Sequence, residues 1–221
     1  MKKMNTTLID IYNNKVSKNL ISYDENQSRA ISFLEKLNKE LSLSNVVFFS
    51  RIKKKRPLKG FYFWGGVGRG KSMIMDLFYE NSLIKKKRRV HFHAFMQEVH
   101  DQIHIVRQSG VEDAIEPVAR NISKNVKLLC FDELQITDIT DAMIVGRLIK
   151  LLTKSGVVIV STSNRHPDDL YKDGLNRNLF LPFISFLKEN MIIYEFSGSV
   201  DYRQLSLSEQ TRFFTPISSK N

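Results

Sequence analysis

The sequence is poor in residues that staple or break a chain. One cysteine, Cys130, occurs in 221 residues, so no internal disulfide is possible and a reducing compartment fits. Five prolines and ten glycines are too few for a collagenous or linker-like chain, and no internal repeat or low-complexity segment is present. No apolar run reaches the ~18 residues that a membrane span requires. The opening MKKMNTTLIDIYNN has neither the apolar core of a signal peptide nor the Arg and Ser content of a transit peptide, and a cytoplasmic protein is expected. Acidic residues are also scarce: 23 stand against 34 basic ones, a net charge of +11. That imbalance favours acidic partners such as nucleic acid, anionic lipid or an acidic protein surface, and a lysine-rich compositional bias produces it equally well. What remains is an ordinary globular mixture, 42% hydrophobic and 26% charged, long enough for a real core.

The most informative stretch is residues 59–79, KGFYFWGGVGRGKSMIMDLFY. Phe61, Tyr62, Phe63 and Trp64 form a short aromatic run between glycines, the pattern of a buried strand. Gly65, Gly66, Val67, Gly68, Arg69, Gly70, Lys71 and Ser72 then fit G-x-x-x-x-G-K-[ST] without a mismatch. Met73, Ile74, Met75, Leu77 and Phe78 follow at a spacing that buries one side of a helix. A glycine turn beside a chance Lys-Ser pair would lack this strand and helix. A triphosphate needs converging backbone N–H groups, and glycines let the chain curl around it without Cβ clashes. The helix N-terminus adds free N–H groups and a positive dipole end. Lys71 supplies the point charge on the β- and γ-phosphates, and the Ser72 hydroxyl is a magnesium ligand. A triphosphate with Mg²⁺ is the expected ligand.

A second chemical centre lies at residues 126–133, VKLLCFDE. Its apolar run suits a strand covered on both faces, and it ends in Asp132 and Glu133. Acids at the carboxyl end of such a strand lie where open α/β sheets bind ligands. Asp132 is placed to hold the Mg²⁺ that Ser72 also contacts, and Glu133 to orient and activate water as a general base. A strand merely ending in solvated acids is the plainer alternative. The apolar run 157–160 leads into Ser161, Thr162, Ser163 and Asn164. Asn164 is either a contact to the γ-phosphate or lytic water, or a turn-forming residue.

The rest of the chain alternates in kind. Helices are expected over residues 23–43, 93–108, 114–124 (broken early by Pro117) and 138–154, with a short helix from His166. A further strand is expected over 90–92 and a last one over 191–196. The basic runs 53–56 and 85–89 are expected as solvated loops, or as sites for an acidic or nucleic-acid partner. His91, His93, His100 and His104 suggest a metal site only weakly, because no cysteine or acid completes the set. The alternation implies a parallel sheet of five strands with helices on both faces, an α/β fold.

Together these residues resemble the ZapE family of cell-division ATPases, with its related mitochondrial proteins, within the AAA+ class of P-loop NTPases. The resemblance runs from about residue 12 to 203. It is carried by GGVGRGKS (65–72), RRVHFHAFMQEVH (88–100), LCFDELQITDITDAM (129–143), TSNRHPDDLYKDGLNR (162–177) and VDYR (200–203). It implies an AAA+ ATPase core at residues 23–199 that binds ATP with Mg²⁺, preceded by a polar arm at 1–22 that is loosely ordered at its tip. Lys71 and Ser72 become Walker A residues, Asp132 the metal-coordinating Walker B acid, Glu133 the catalytic base and Asn164 the first sensor. Arg177 falls where AAA+ proteins place a finger into a neighbour's nucleotide, which implies a homo-oligomer; Arg165 and Arg203 are equally suited to surface or ion-pair roles. Asp24 and Gln27 match the family's N-terminal element near the adenine. The implied function is remodelling of a protein partner, in bacteria a tubulin-like division polymer at the inner-membrane division site. A hydrolysis-deficient nucleotide-binding adaptor and a nucleic-acid-associated loader are the alternatives, the latter motivated by the basic runs. In place of the helical lid that usually follows an AAA+ core, residues 200–221 form a short polar tail, in which Phe213 and Phe214 either dock on the core or are exposed.

Overall fold

The computed structural model describes residues 6–46 and 58–197. The basic run 53–56, the VDYR motif, Arg203, Phe213, Phe214 and the expected lid-less tail lie outside the described residues.

Five short strands form, four in apolar stretches and β2 in a basic one: β1 (Gly60–Trp64), β2 (Lys87–His91), β3 (Leu128–Asp132), β4 (Val158–Ser163) and β5 (Met191–Glu195). They make one sheet in the order β2-β3-β4-β1-β5, and every neighbouring pair is parallel. Parallel neighbours need crossovers, and the helices supply them. They are α1 (Leu8–Ser17), α2 (Glu25–Val46), α3 (Lys71–Asn81), α4 (Phe92–Gln108), α5 (Ile115–Asn125), α6 (Ile139–Lys154) and α7 (Leu181–Asn190).

Side chains alternate across a strand, so the sheet divides the core in two. Phe61, Phe63, Leu128, Cys130, Val158 and Val160 pack on the side of α1, α2 and α3. Tyr62, Leu129, Phe131 and Ile159 face α4, α5, α6 and α7. The result is a three-layer α/β/α sandwich with β1 and β3, the two strands that end in chemistry, inside the sheet. Gly60 shows how tightly the layers close: a Cβ there would lie 1.8 Å from the backbone carbonyl oxygen of Ile159 on β4. Backbone in a paired strand has little room to yield, so Gly60→Ala is expected to lower stability by about 3 kcal/mol or more. Urea unfolding of purified protein checks this, and a loss below about 1 kcal/mol would show that the sheet can open at this point.

Four local expectations need correction. Residues 8–17, expected within a polar arm, form α1, which starts in a capping box between Thr7 and Asp10 and buries Leu8 and Tyr12. Pro117 does not break α5, because it sits in the helix's first turn, where its missing N–H has no intrahelical partner. Ser161, Thr162 and Ser163 continue β4 and are buried. The run 85–89 is not a solvated loop, because Lys87, Arg88 and Arg89 belong to β2. Lys87 Nζ donates to the carbonyl oxygens of Tyr79 and Ser82 at the C-terminal end of α3, the latter at 2.9 Å. Arg88 pairs with Glu98 of α4 at 2.5 Å, and Arg89 reaches two carboxylates described below. These cations hold the fold together, which weakens the nucleic-acid alternative for this run.

Candidate nucleotide site

A cavity of about 370 Å³ opens at the carboxyl end of the sheet, lined by residues 67–73 with Glu133, Thr162, Ser163 and Asn164. The loop between β1 and α3 forms one wall. Gly68 and Gly70 have φ of +77° and +80°, left-handed conformations that L side chains rarely adopt. At Gly70 space is short as well, since a Cβ would sit 2.5 Å from Gln27 Nε2. Gln27 is buried and donates to the Arg69 carbonyl at 3.3 Å. The Gln27 amide oxygen in turn lies 3.4 Å from the Tyr12 hydroxyl, which accepts from the Asp24 N–H at 2.9 Å. Asp24 and Gln27 therefore brace the glycine loop through α1 and α2.

Lys71 is buried and bends back over the loop. Its ammonium donates to the Gly65 and Gly66 carbonyls at 2.7 and 2.6 Å and to Asn164 Oδ1 at 3.1 Å. Ser72, one residue on, is exposed at the cavity wall.

The opposite wall is stitched from β3 and β4. Glu133 has φ +54°, a strained conformation for a side-chain-bearing residue, of order 1–3 kcal/mol. Two hydrogen bonds hold it there: its own N–H donates to Thr162 Oγ1 at 3.1 Å, and the next N–H, of Leu134, donates to the Thr162 carbonyl at 2.7 Å. The turn exposes the Glu133 carboxylate at the cavity. Asn164 is fixed by its surroundings too. Ser163 Oγ donates to the Leu134 carbonyl at 2.8 Å and accepts from the Arg165 N–H at 3.1 Å, while the Tyr62 hydroxyl donates to the Arg165 carbonyl at 2.9 Å.

Of the residues expected from sequence, residues 67–72, Glu133 and Asn164 line one cavity, and Gly65 and Gly66 touch it through Lys71. Asp132 is buried beside it and does not line it. Its carboxylate is held by Arg89 of β2, with Nε to Oδ2 at 2.7 Å and Nη2 to Oδ1 at 3.1 Å. Arg177 lies outside the cavity, in a short 3-10 turn, Arg177–Leu179. Its Nη2 donates to the Asp168 carbonyl, and its Nε is buried without a hydrogen-bond partner. Sequence reasoning missed Thr162, Ser163 and Arg89. The signal for the first two was the polar end of an otherwise apolar strand, and for Arg89 a basic strand next in line to an acid-tipped one. The histidines do not gather: His100 pairs with Asp141 at 2.7 Å, while His93 and His104 each meet a glutamine four residues on, at 3.2 and 3.0 Å. Cys130, under the floor of the site, has its thiol pKa pushed up to about 12 by burial, which keeps it a packing residue.

The glycine loop between β1 and α3, the acids ending β3 and the polar exit of β4, in a parallel sheet of this order, define a P-loop NTPase core of the AAA+ kind. The solved structure of AMPPCP-bound DnaA from Aquifex aeolicus shares this fold, with a TM-score of 0.57 and 16% identity, covering 95% of this chain and 56% of that one. The chain belongs to the AFG1-like ATPase family, whose model matches residues 6–221. Cell division protein ZapE from Escherichia coli (strain K12) is 42% identical over 164 residues, covering 74% of this chain and 43% of the relative. Lactation elevated protein 1 homolog B from Danio rerio is 44% identical over 170 residues, covering 73% of this chain and 34% of the relative. The chain thus spans less than half the length of either of these two curated relatives. No described helix is long and apolar enough to cross a membrane.

Proposed function

We propose that this chain binds ATP with Mg²⁺ in the cavity between the glycine loop and the β3–β4 wall, hydrolyses the γ-phosphate bond, and uses the cycle to remodel a protein partner. The observation that carries this is the convergence of the braced glycine loop, Lys71, Glu133 and Asn164 on a single cavity. The residues suit the ligand: the glycine loop leaves a concave backbone, and the Lys71 ammonium is aimed at backbone oxygens that phosphate oxygens would replace. In this assignment residues 65–70 cradle the phosphates with their N–H groups. Lys71 places its charge on the β- and γ-phosphates, and Asn164, already its partner, orients the γ-phosphate or the attacking water. Glu133, exposed at the end of its strained turn, accepts the proton of that water. Ser72 Oγ and Asp132 are the groups that would hold magnesium, which when bound neutralises charge on the phosphates. Arg177 acts on the nucleotide of a neighbouring copy, so the active form is a homo-oligomer.

The partner is inferred from the family. A relative that bears the name cell division protein supports a division-apparatus protein as the client, a tubulin-like polymer gathered at the bacterial division site, with the ATPase arriving from the cytoplasm. Steady-state ATP turnover of chain 1–221 with Mg²⁺, measured across protein concentration, tests the proposal. Specific activity is expected to rise with concentration as copies assemble. ATP binding without turnover at any concentration would leave a nucleotide-binding adaptor in its place.

A further inference from the structure

Asp132, the acid assigned to magnesium, already has both oxygens taken. Arg89 grips them with a two-pronged fork, at 2.7 and 3.1 Å, and its remaining nitrogen, Nη1, donates to Asp76 of α3. One guanidinium therefore serves two carboxylates. The Asp132 side chain is only 11% exposed, whereas the Asp76 side chain is about half exposed, at 52%. Asp76 lies four residues after Ser72, on the same face of α3, so the trio spans the helix that carries one magnesium ligand and the strand that carries the other. Burial works against the charge on Arg89, but its hydrogen bonds to Asp132 and Asp76 outweigh burial and raise its pKa, so it stays cationic.

Breaking a buried ion pair is normally very unfavourable, because one charge is left without a partner. Here the second carboxylate changes that. If Asp132 turns towards a cation, Arg89 still has Asp76. A guanidinium fork on a ligand carboxylate also opposes an incoming divalent ion, through its own charge and through the oxygen lone pairs it occupies.

We infer that Arg89 is a positioning residue that sets the magnesium affinity of the site, holding Asp132 back and exchanging it for Asp76 when the metal enters. This inference rests on the MgATP assignment above. A simple structural pin between β2, β3 and α3 would behave differently, since cutting either end would loosen one joint and weaken metal binding both times. The exchange gives opposite signs. Arg89→Met frees Asp132 and tightens magnesium binding, by ~3- to 10-fold for removal of one nearby like charge. Asp76→Asn throws Arg89 wholly onto Asp132 and weakens it by a similar ~3-fold or more. Asp76 acts here only through Arg89, so Asp76→Asn has no effect in the Arg89→Met background, a coupling that a general field effect would not produce.

The experiment is a MgCl₂ titration of the four proteins (wild type, both single variants and the double) at fixed mant-labelled AMPPNP, followed by fluorescence, with affinity in EDTA as the metal-free reference. Half-saturating magnesium that falls in Arg89→Met, rises in Asp76→Asn and is the same in Arg89→Met with or without Asp76→Asn supports the exchange. A rise in both single variants, or an Asp76→Asn effect of equal size in both backgrounds, overturns it. If Arg89→Met fails to fold, Arg89→Lys takes its place: it keeps a cation but loses the two-pronged grip on Asp132, so half-saturating magnesium is expected to fall, and a rise overturns the exchange. If wild type binds the analogue with no dependence on magnesium, the MgATP assignment falls, and this inference with it. A normal wild-type response with unmoved variants removes the role of Arg89 only.

Discussion

Glu133→Gln is expected to stop ATP hydrolysis while leaving ATP affinity within about two-fold, the loss in turnover being ~10²- to 10⁴-fold, the range of a positioned general base. The expectation comes from how the residue is held. Its backbone sits at φ +54°, fixed by bonds from its own N–H and that of Leu134 to Thr162, none of which involves its carboxylate. An amide of the same shape keeps that turn and the cavity wall, and loses only the ability to take a proton. Single-turnover hydrolysis beside mant-nucleotide binding separates the two effects. A fall of less than ~10-fold would mean that another group takes the proton. A parallel loss of binding would mean that Glu133 shapes the cavity rather than the chemistry.

Arg177→Ala is the second large effect, ~10³-fold in turnover if the residue acts as a finger supplied in trans. Within its own chain Arg177 does not line the cavity. It is presented by a 3-10 turn whose preceding residue, Asn176, has φ +55°, and Leu175 and Leu179 beside it are 70% and 56% exposed. A half-buried guanidinium among exposed leucines suits a surface that another copy covers. The variant is expected to keep nucleotide affinity and to recover turnover when mixed with Glu133→Gln protein. In the mixture, one copy keeps its own Glu133 and receives Arg177 from its inactive neighbour. Absence of any recovery on mixing would place the action of Arg177 within its own chain, or outside catalysis altogether.

What the sequence shows and what it hides follow the distance over which each feature is determined. The glycine loop was legible because its chemistry is local: eight consecutive residues carry the turn, the charge and the hydroxyl, and an aromatic strand and apolar helix flank them. The acids at 132 and 133 were legible for the same reason. The buried runs gave β1, β3 and β4 and the parallel α/β sheet, because strands covered on both faces must be apolar throughout. β2 was obscured because its cations meet partners far along the chain: Arg88 finds Glu98, and Arg89 finds Asp76 and Asp132. A basic run with distant carboxylates looks the same in sequence as one facing water. α1 was obscured because it is short and rich in polar residues: it buries Leu8 and Tyr12 fully, while Ile9, Ile11 and Val16 pack against the core only in part. The retreat of Asp132 from the cavity wall was invisible for the reason that hid β2, since it depends on Arg89.

The folded-back Lys71 bears on which anions the loop accepts. An ammonium carries three hydrogens, and the Gly65 carbonyl, the Gly66 carbonyl and Asn164 already receive bonds from it. Arrival of a ligand is therefore a substitution, in which incoming oxygens displace resident ones. A lone monovalent anion offers too little in return for three surrendered bonds, whereas a chain of phosphates gripped along the whole loop can complete the trade. On the MgATP assignment proposed above, a preference for polyphosphates over simple salts follows from these bonds of Lys71.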